Sequence, residues 1–210
     1  MVNTPEILKI LFRGTKSDLG LVERSRGKGF PTLDAFWREA VGISARGRMV
    51  GSGQGYQQLR ASSSTARNSN GQPGKDAGEL RGLPDVSVES LDEVIIDTQN
   101  FKTFQQARVH RLRDVRLFDA PVATVHKSPP ADFGRIRVGI AVQPVVYNES
   151  FYGYCPKGFA HADVLVRYLT VVFGSKFALW LALITSGEFG FEREVIEKAA
   201  LDRIQLPDSP

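Results

Sequence analysis

Residues 161–187 read HADVLVRYLTVVFGSKFALWLALITSG, the longest apolar run in the chain. From Ala162 onward, Val164, Leu165, Tyr168, Leu169, Val171, Val172 and Phe173 recur every three or four positions, which puts them on one broad helical face. Gly174-Ser175 breaks the pattern, and Phe177, Leu179, Trp180, Leu181, Leu183 and Ile184 resume it as far as Ser186-Gly187. The spacing predicts two helices meeting at a sharp joint. Val and Thr are weak helix formers, so packing rather than propensity has to hold them. Lys176 sits in mid-run, and neither half reaches the roughly 20 apolar residues of a membrane span. The expectation is a buried helical hairpin and no membrane association.

The stretch just before the hairpin carries the strand signals. Ala120 to Lys127 reads as a short buried strand stopped by Ser128-Pro129-Pro130, because proline cannot donate to a ladder. In Arg135 to Gln143, Ile136, Val138, Ile140 and Val142 alternate with Arg135, Arg137, Gly139, Ala141 and Gln143. That period of two predicts a half-buried strand with its arginines on the open face. Val145 to Tyr147 and Phe151 to Tyr154 are two more expected strands, joined by a turn at Asn148-Glu149-Ser150. Downstream, Glu192 to Arg203 predicts a last helix before Ile204, Leu206 and Pro207.

Toward the amino terminus, Thr4-Pro5 and Thr32 are expected helix caps, and a helix is expected from Ser17 with Asp18 at its positive end. Gly51-Ser52-Gly53-Gln54-Gly55 is not preceded by an apolar strand or followed by a Lys-Ser/Thr pair, so it reads as a turn or irregular loop rather than a phosphate cradle. Ala61 to Gly82 holds little to bury and predicts a flexible linker. The expected organisation is a helical, glycine-rich region over 1–60, a linker over 61–82 and an α+β domain over 83–210. Within that domain a small mixed or antiparallel sheet packs on the helical hairpin.

Lys and Arg number 13 in residues 1–82 against 7 Asp and Glu, whereas the remainder holds 14 against 16. The basic excess lies in the first part and favours nucleic-acid contact. Lys9 and Arg13 interrupt the only early apolar segment, so no secretory signal is recognised and a cytoplasmic location is expected. The single Cys155 excludes an intrachain disulfide and a multi-thiolate zinc site. His110, His126 and His161 lie at no metal-ligand spacing, and no Gly-x-Ser-x-Gly elbow is present. No catalytic residue, no metal site and no cofactor is assigned to this chain.

A binding surface is the better expectation. Lys127, Arg135 and Arg137 fall on adjacent predicted strands, and Tyr147, Asn148, Ser150 and Tyr152 follow in the next turn and strand. Cations of this kind neutralise phosphates, while Asn, Ser and Arg offer the hydrogen-bonding patterns that read base edges. The expected partner is double-stranded DNA. The basic segment Arg108 to Arg116 is expected to be a further contact or a solvated helix face.

Several motifs, in order, resemble one family. Leu117 to Ser128, ending in Ala120-Pro121-Val122-Ala123-Thr124-Val125-His126-Lys127-Ser128, resembles the segment of adenine-specific DNA methyltransferases in which a strand follows the catalytic domain. The strand around Tyr147-Asn148-Glu149-Ser150-Phe151 is similar too, as are the Gly174-Ser175-Lys176 joint and the closing Ile204 to Pro207. Leu11-Phe12-Arg13-Gly14 through Asp18-Leu19, then Gly53-Gln54-Gly55-Tyr56-Gln57, resemble the region before that domain. Over most of its length the chain therefore looks like the C-terminal target recognition domain of restriction-modification N6-adenine methylases, as found in bifunctional type II enzymes and related to type I specificity subunits. The Asn/Asp-Pro-Pro-Tyr/Phe tetrapeptide of that family does not stand here, since Ser128-Pro129-Pro130-Ala131 lacks both the polar residue and the aromatic. The resemblance implies the specificity part of such an enzyme, with S-adenosylmethionine belonging to a catalytic part elsewhere. A module that docks a separate methylase subunit through exposed apolar residues is the alternative expectation.

Overall fold

The computed structural model describes residues 6–59, 74–129, 134–187 and 194–207. The fold is α+β. Its organising element is the expected pair of helices with a sharp joint, α4 (Ala162–Phe173) and α5 (Lys176–Thr185), but the bend at Gly174-Ser175 is 65°, an open elbow rather than a hairpin. The Ser175 hydroxyl makes the joint, donating to the Val172 carbonyl at 2.6 Å and accepting from the Ala178 amide at 3.1 Å. Among the described residues no single helix is long and apolar enough to cross a membrane; the bent pair would pass on length and composition only together. Leu165, Val166, Leu169 and Phe173 point inward from α4, while Val164 and Val171 stay exposed. The buried face is therefore narrower than the sequence pattern.

Helix α4 packs on one face of a four-stranded antiparallel sheet. It is formed by β1 (Ser52–Gln54), β4 (Val122–His126), β5 (Val138–Ala141) and β6 (Phe151–Tyr154), in the order β1-β6-β4-β5. A two-stranded ribbon pairs β2 (Lys75–Asp76) with β3 (Arg108–Val109). Ala123, Val125, Ile140, Tyr152 and Tyr154 lie on the α4 side and belong to one apolar cluster that also takes in residues of α5. Val122, Ala141, Phe151 and Cys155 face away, into a second cluster closed by Leu80, Leu91, Ile96, Phe104 and Phe118. The sheet is thus buried on both sides.

That second layer corrects the expectation of an open arginine face. A Cβ on Gly139 would stand 2.7 Å from Leu91 and 2.8 Å from Ile96, so the side of β5 shared by Arg137, Gly139 and Ala141 is roofed over. The edge of β5 is also occupied, because the Ile140 amide donates to the Val94 carbonyl and the Ile96 amide to the Ile140 carbonyl. Val145 to Tyr147 is not a strand of the sheet; the Val146 amide donates to the Pro84 carbonyl and the Val86 amide to the Val146 carbonyl. Arg108 to Arg116 is not a helix either. It starts in β3 and runs irregularly into a 3-10 turn at Val115–Phe118.

The amino-terminal region does not stand apart. Its helices are α1 (Ile7–Arg13), α2 (Lys16–Gly27) and α3 (Leu33–Ala40). Thr15 and Asp18 form a reciprocal capping box on α2, and Thr32 caps α3 as expected. Ile10, Val22, Leu33 and Trp37 belong to the same cluster as α4, α5 and β6. The glycine-rich stretch, expected as a loop, supplies β1 at the sheet edge. Gly55 is required there because a Cβ would lie 2.2 Å from the Tyr147 carbonyl oxygen. Within the expected linker over 61–82, Lys75–Asp76 form β2 and Gly78–Leu80 a 3-10 turn, with Ala77 and Leu80 buried, in place of the flexible segment expected there; residues 60–73 lie outside the described ones. The last helix is α6 (Lys198–Asp202), shorter than expected, with Glu194 to Glu197 non-helical and 192–193 outside the described residues.

Candidate nucleic-acid interface

Strand register decides which polar residues meet. The Lys127 amide donates to the Ser150 carbonyl, and the His126 amide to the Arg137 carbonyl, each at 3.0 Å. Gln54 pairs with Tyr152, and its side-chain amide donates to the Glu149 carbonyl at 2.9 Å. Gln54, the turn at 148–150, Lys127 and Arg137 therefore line one end of the sheet, as a rim rather than a face. Asn148 shapes the turn, its Oδ1 accepting from the Ser150 amide at 2.8 Å, and Ser150 is exposed beside it.

The expected site residues separate at this rim. The Lys127 ammonium is half-buried 4.7 Å above the Tyr152 ring, and burial pulls its pKa down to about 8, with Arg113 adding to the shift and Glu149 opposing it. Arg137 turns back toward Asp92 at 3.6 Å, and Arg135 is exposed beside a cavity of about 280 Å³ lined by Asp92, Glu93 and Val171. Neither arginine lines the groove beside Tyr152.

The two tyrosines differ, because Tyr147 is a core residue whereas Tyr152 lines the groove described below. Tyr147 is fully buried, its hydroxyl donating to the Leu117 carbonyl at 2.5 Å, and burial raises its pKa well above the ordinary value. It is a strut of the second cluster. Tyr152 is also buried, with its hydroxyl donating to the Ile196 carbonyl at 3.2 Å and accepting from the Lys198 amide at 3.1 Å. Its ring supports Lys127 from below. The run Phe151-Tyr152-Gly153-Tyr154, aromatic on both parities, was the signal that β6 is covered on two sides.

Beyond Tyr152 opens a groove of about 760 Å³. One wall is Asp34 and Arg38 of α3 with the loop carrying Arg46 and Arg48; the other is Leu112, Arg113 and Asp114; β1, Lys198 and Asp202 lie between. Each lining carboxylate has its own cation. Arg38 holds Asp34 at 2.7 Å, Arg116 holds Asp114 at 2.6 Å, and Lys198 holds Asp202 at 2.7 Å. Arg46, Arg48 and Arg113 are exposed and have no ion-pair partner among the described residues, which leaves the groove positive. The Lys198–Asp202 pair is anchored by Tyr154, whose hydroxyl donates to Asp202 at 2.9 Å while Lys198 sits 4.8 Å over its ring.

Sequence reading missed Arg38, Arg46, Arg48 and Lys198, although the basic excess of residues 1–82 pointed at three of them. Arg113 lay within the basic segment already noted. Among the described residues no group of His, Cys, Asp and Glu could hold a metal ion. Cys155 is buried and its thiol is pushed up to about 11 by that burial, which suits packing rather than nucleophilic attack. Compared with protein-family models, with curated proteins and with solved structures, the chain shows no significant match in any of the three.

Proposed function

We propose that this chain is a DNA-recognition module that lays duplex DNA along the groove between α3, β1 and the 112–114 loop. The observation that carries this reading is the charge arrangement there. Every lining carboxylate is neutralised internally, while Arg46, Arg48 and Arg113 point outward with Lys127 close behind. An array of this kind suits the regularly spaced phosphates of nucleic acid better than a small anion. At the adjoining rim the bonds from Gln54 Nε2 and to Asn148 Oδ1 fix the turn, and the Ser150 hydroxyl with the remaining Asn148 and Gln54 amide atoms supplies donors and acceptors suited to base edges.

The resemblance to the target recognition domain of N6-adenine DNA methyltransferases fits this reading. In that role the module selects the site, and S-adenosylmethionine chemistry belongs to a partner subunit or domain. Filter binding with random-sequence duplex DNA tests the first half, with expected dissociation constants on the order of 10⁻⁶–10⁻⁴ M at physiological salt. Absence of binding even at low salt overturns it. Selection from randomised duplexes tests the second half, with enrichment of one adenine-containing motif as the expected result.

One observation favours the docking alternative. Leu8 is 78% and Phe12 76% exposed on α1, an apolar pair open to a protein partner such as a methylase subunit. Capture of that subunit by the intact chain, lost in the Leu8→Asp/Phe12→Asp variant and accompanied by no DNA affinity, is the result that would replace the first reading with this one.

A further inference from the structure

A second cavity lies on the other side of α6. Lys198 and Asp202 of this helix face the basic groove, whereas Ala200, with Arg203 just beyond the helix, lines a pocket of about 390 Å³ against α2 and α5. Its composition is different. The walls are Leu21, Phe30, Phe177, Leu181 and Pro207, and the cations Arg24, Arg26, Lys28 and Arg203 stand around them with no acidic side chain in the lining.

Glu6 explains why two of these cations sit together. Its carboxylate, only 8% exposed, accepts from Arg26 and from Arg203, each at 3.2 Å through one Nη1. A guanidinium has five N–H donors, so both arginines keep donors for a second acceptor. Arg24 and Lys28 are exposed and have no ion-pair partner among the described residues, so Glu6 alone does not balance the cluster. The mouth is lined by carbon as well, since Phe177 is 41% and Leu21 39% exposed.

We infer that this pocket binds a compact carboxylate with an apolar body, such as an aryl carboxylate, its ring against Phe30, Phe177 and Leu181 and its carboxylate against the arginines. Bare phosphate does not fit the chemistry, because it would leave the apolar walls uncovered. A neutral hydrocarbon leaves the cations unanswered. The volume is at the small end of ligand pockets, which suits a bicyclic ring rather than a long chain. A carboxylate offers the paired guanidiniums two anionic oxygens, whereas a neutral amide of the same shape has one acceptor oxygen, no charge and an NH2 group turned toward the cations.

The test is calorimetric titration of the full chain with 2-naphthoate and with 2-naphthamide. The acid is expected to bind at least about tenfold more tightly than the amide. Arg203→Gln, which removes one of the paired guanidiniums, and Arg24→Gln/Lys28→Gln, which removes the surrounding charge, should each narrow that gap, and Phe177→Asp at the mouth should abolish binding of both compounds, with circular dichroism reporting that each variant is folded. Equal affinity for acid and amide, no heat with naphthoate up to millimolar concentration, or binding indifferent to Phe177→Asp would overturn the inference. None of these results depends on DNA binding in the other groove.

Discussion

Lys127 holds its ammonium 4.7 Å above the ring of Tyr152, a residue whose own hydroxyl is committed to the Ile196 carbonyl and the Lys198 amide. The cation is thereby fixed at the rim of the sheet by a side chain that cannot move independently of the core. Burial also brings its pKa down to about 8, into the range of ordinary buffers.

The first prediction concerns pH. If Lys127 contacts a phosphate, DNA affinity falls as pH rises through about 8, and Lys127→Arg removes that dependence because arginine stays charged. Stability moves the other way. The folded pKa lies below the unfolded value of 10.5, so the unfolded state binds more protons between about 8 and 10.5, and stability rises with pH across that window. Urea midpoints measured from pH 7 to 10.5 should show this slope for the wild type and lose it in Lys127→Met.

A second prediction separates core tyrosines from binding tyrosines. A Cβ on Gly153 would lie 1.7 Å from the Tyr147 hydroxyl and 2.5 Å from its ring carbon, with no room for either group to give. Gly153→Ala is therefore expected to destabilise by about 3 kcal/mol or more. Tyr147→Phe leaves the Leu117 carbonyl unpaired and should cost about 1–3 kcal/mol. Chemical denaturation reads both, and Tyr147→Phe should leave DNA affinity unchanged in the folded protein.

A third prediction concerns Glu6, which ties α1 to the chain's far end through Arg203 and to α2 through Arg26. Glu6→Ala leaves two guanidiniums facing each other without their common acceptor. A loss of roughly 1–3 kcal/mol is expected, since the arginines remain partly solvated. Thermal melts at low and high salt check it, with the deficit smaller at high salt.

A fourth prediction distinguishes the groove from the arginines chosen by strand alternation. Arg135→Glu should leave DNA binding within about twofold of wild type, because Arg135 lies beside Asp92 and Glu93 and away from the groove. A large loss in this variant would move the interface to that cavity.

Much of the fold was legible in the sequence. The Gly174-Ser175 break, the Thr32 cap, the strand at Phe151–Tyr154 and the turn at Asn148–Ser150 all follow from local chemistry and period. What local pattern could not reveal is which surface the rest of the chain would cover. Arg135 and Arg137 alternate with apolar residues as on a half-buried strand, yet Leu91 and Ile96, more than forty residues upstream, close the second face over Gly139. The groove itself is assembled from α3, β1, the 112–114 loop and α6, so its charges converge only through tertiary packing. Composition registered the basic excess of the first part without locating it.

The most direct measurement is fluorescence anisotropy of duplex DNA with the intact chain across a salt series, wild type against the Arg46→Gln/Arg48→Gln/Arg113→Gln variant. Three lost phosphate contacts predict a plot of log affinity against log salt that is shallower by about 2.7, with weaker binding at every salt concentration. An unchanged slope and affinity in the folded triple variant would contradict the account.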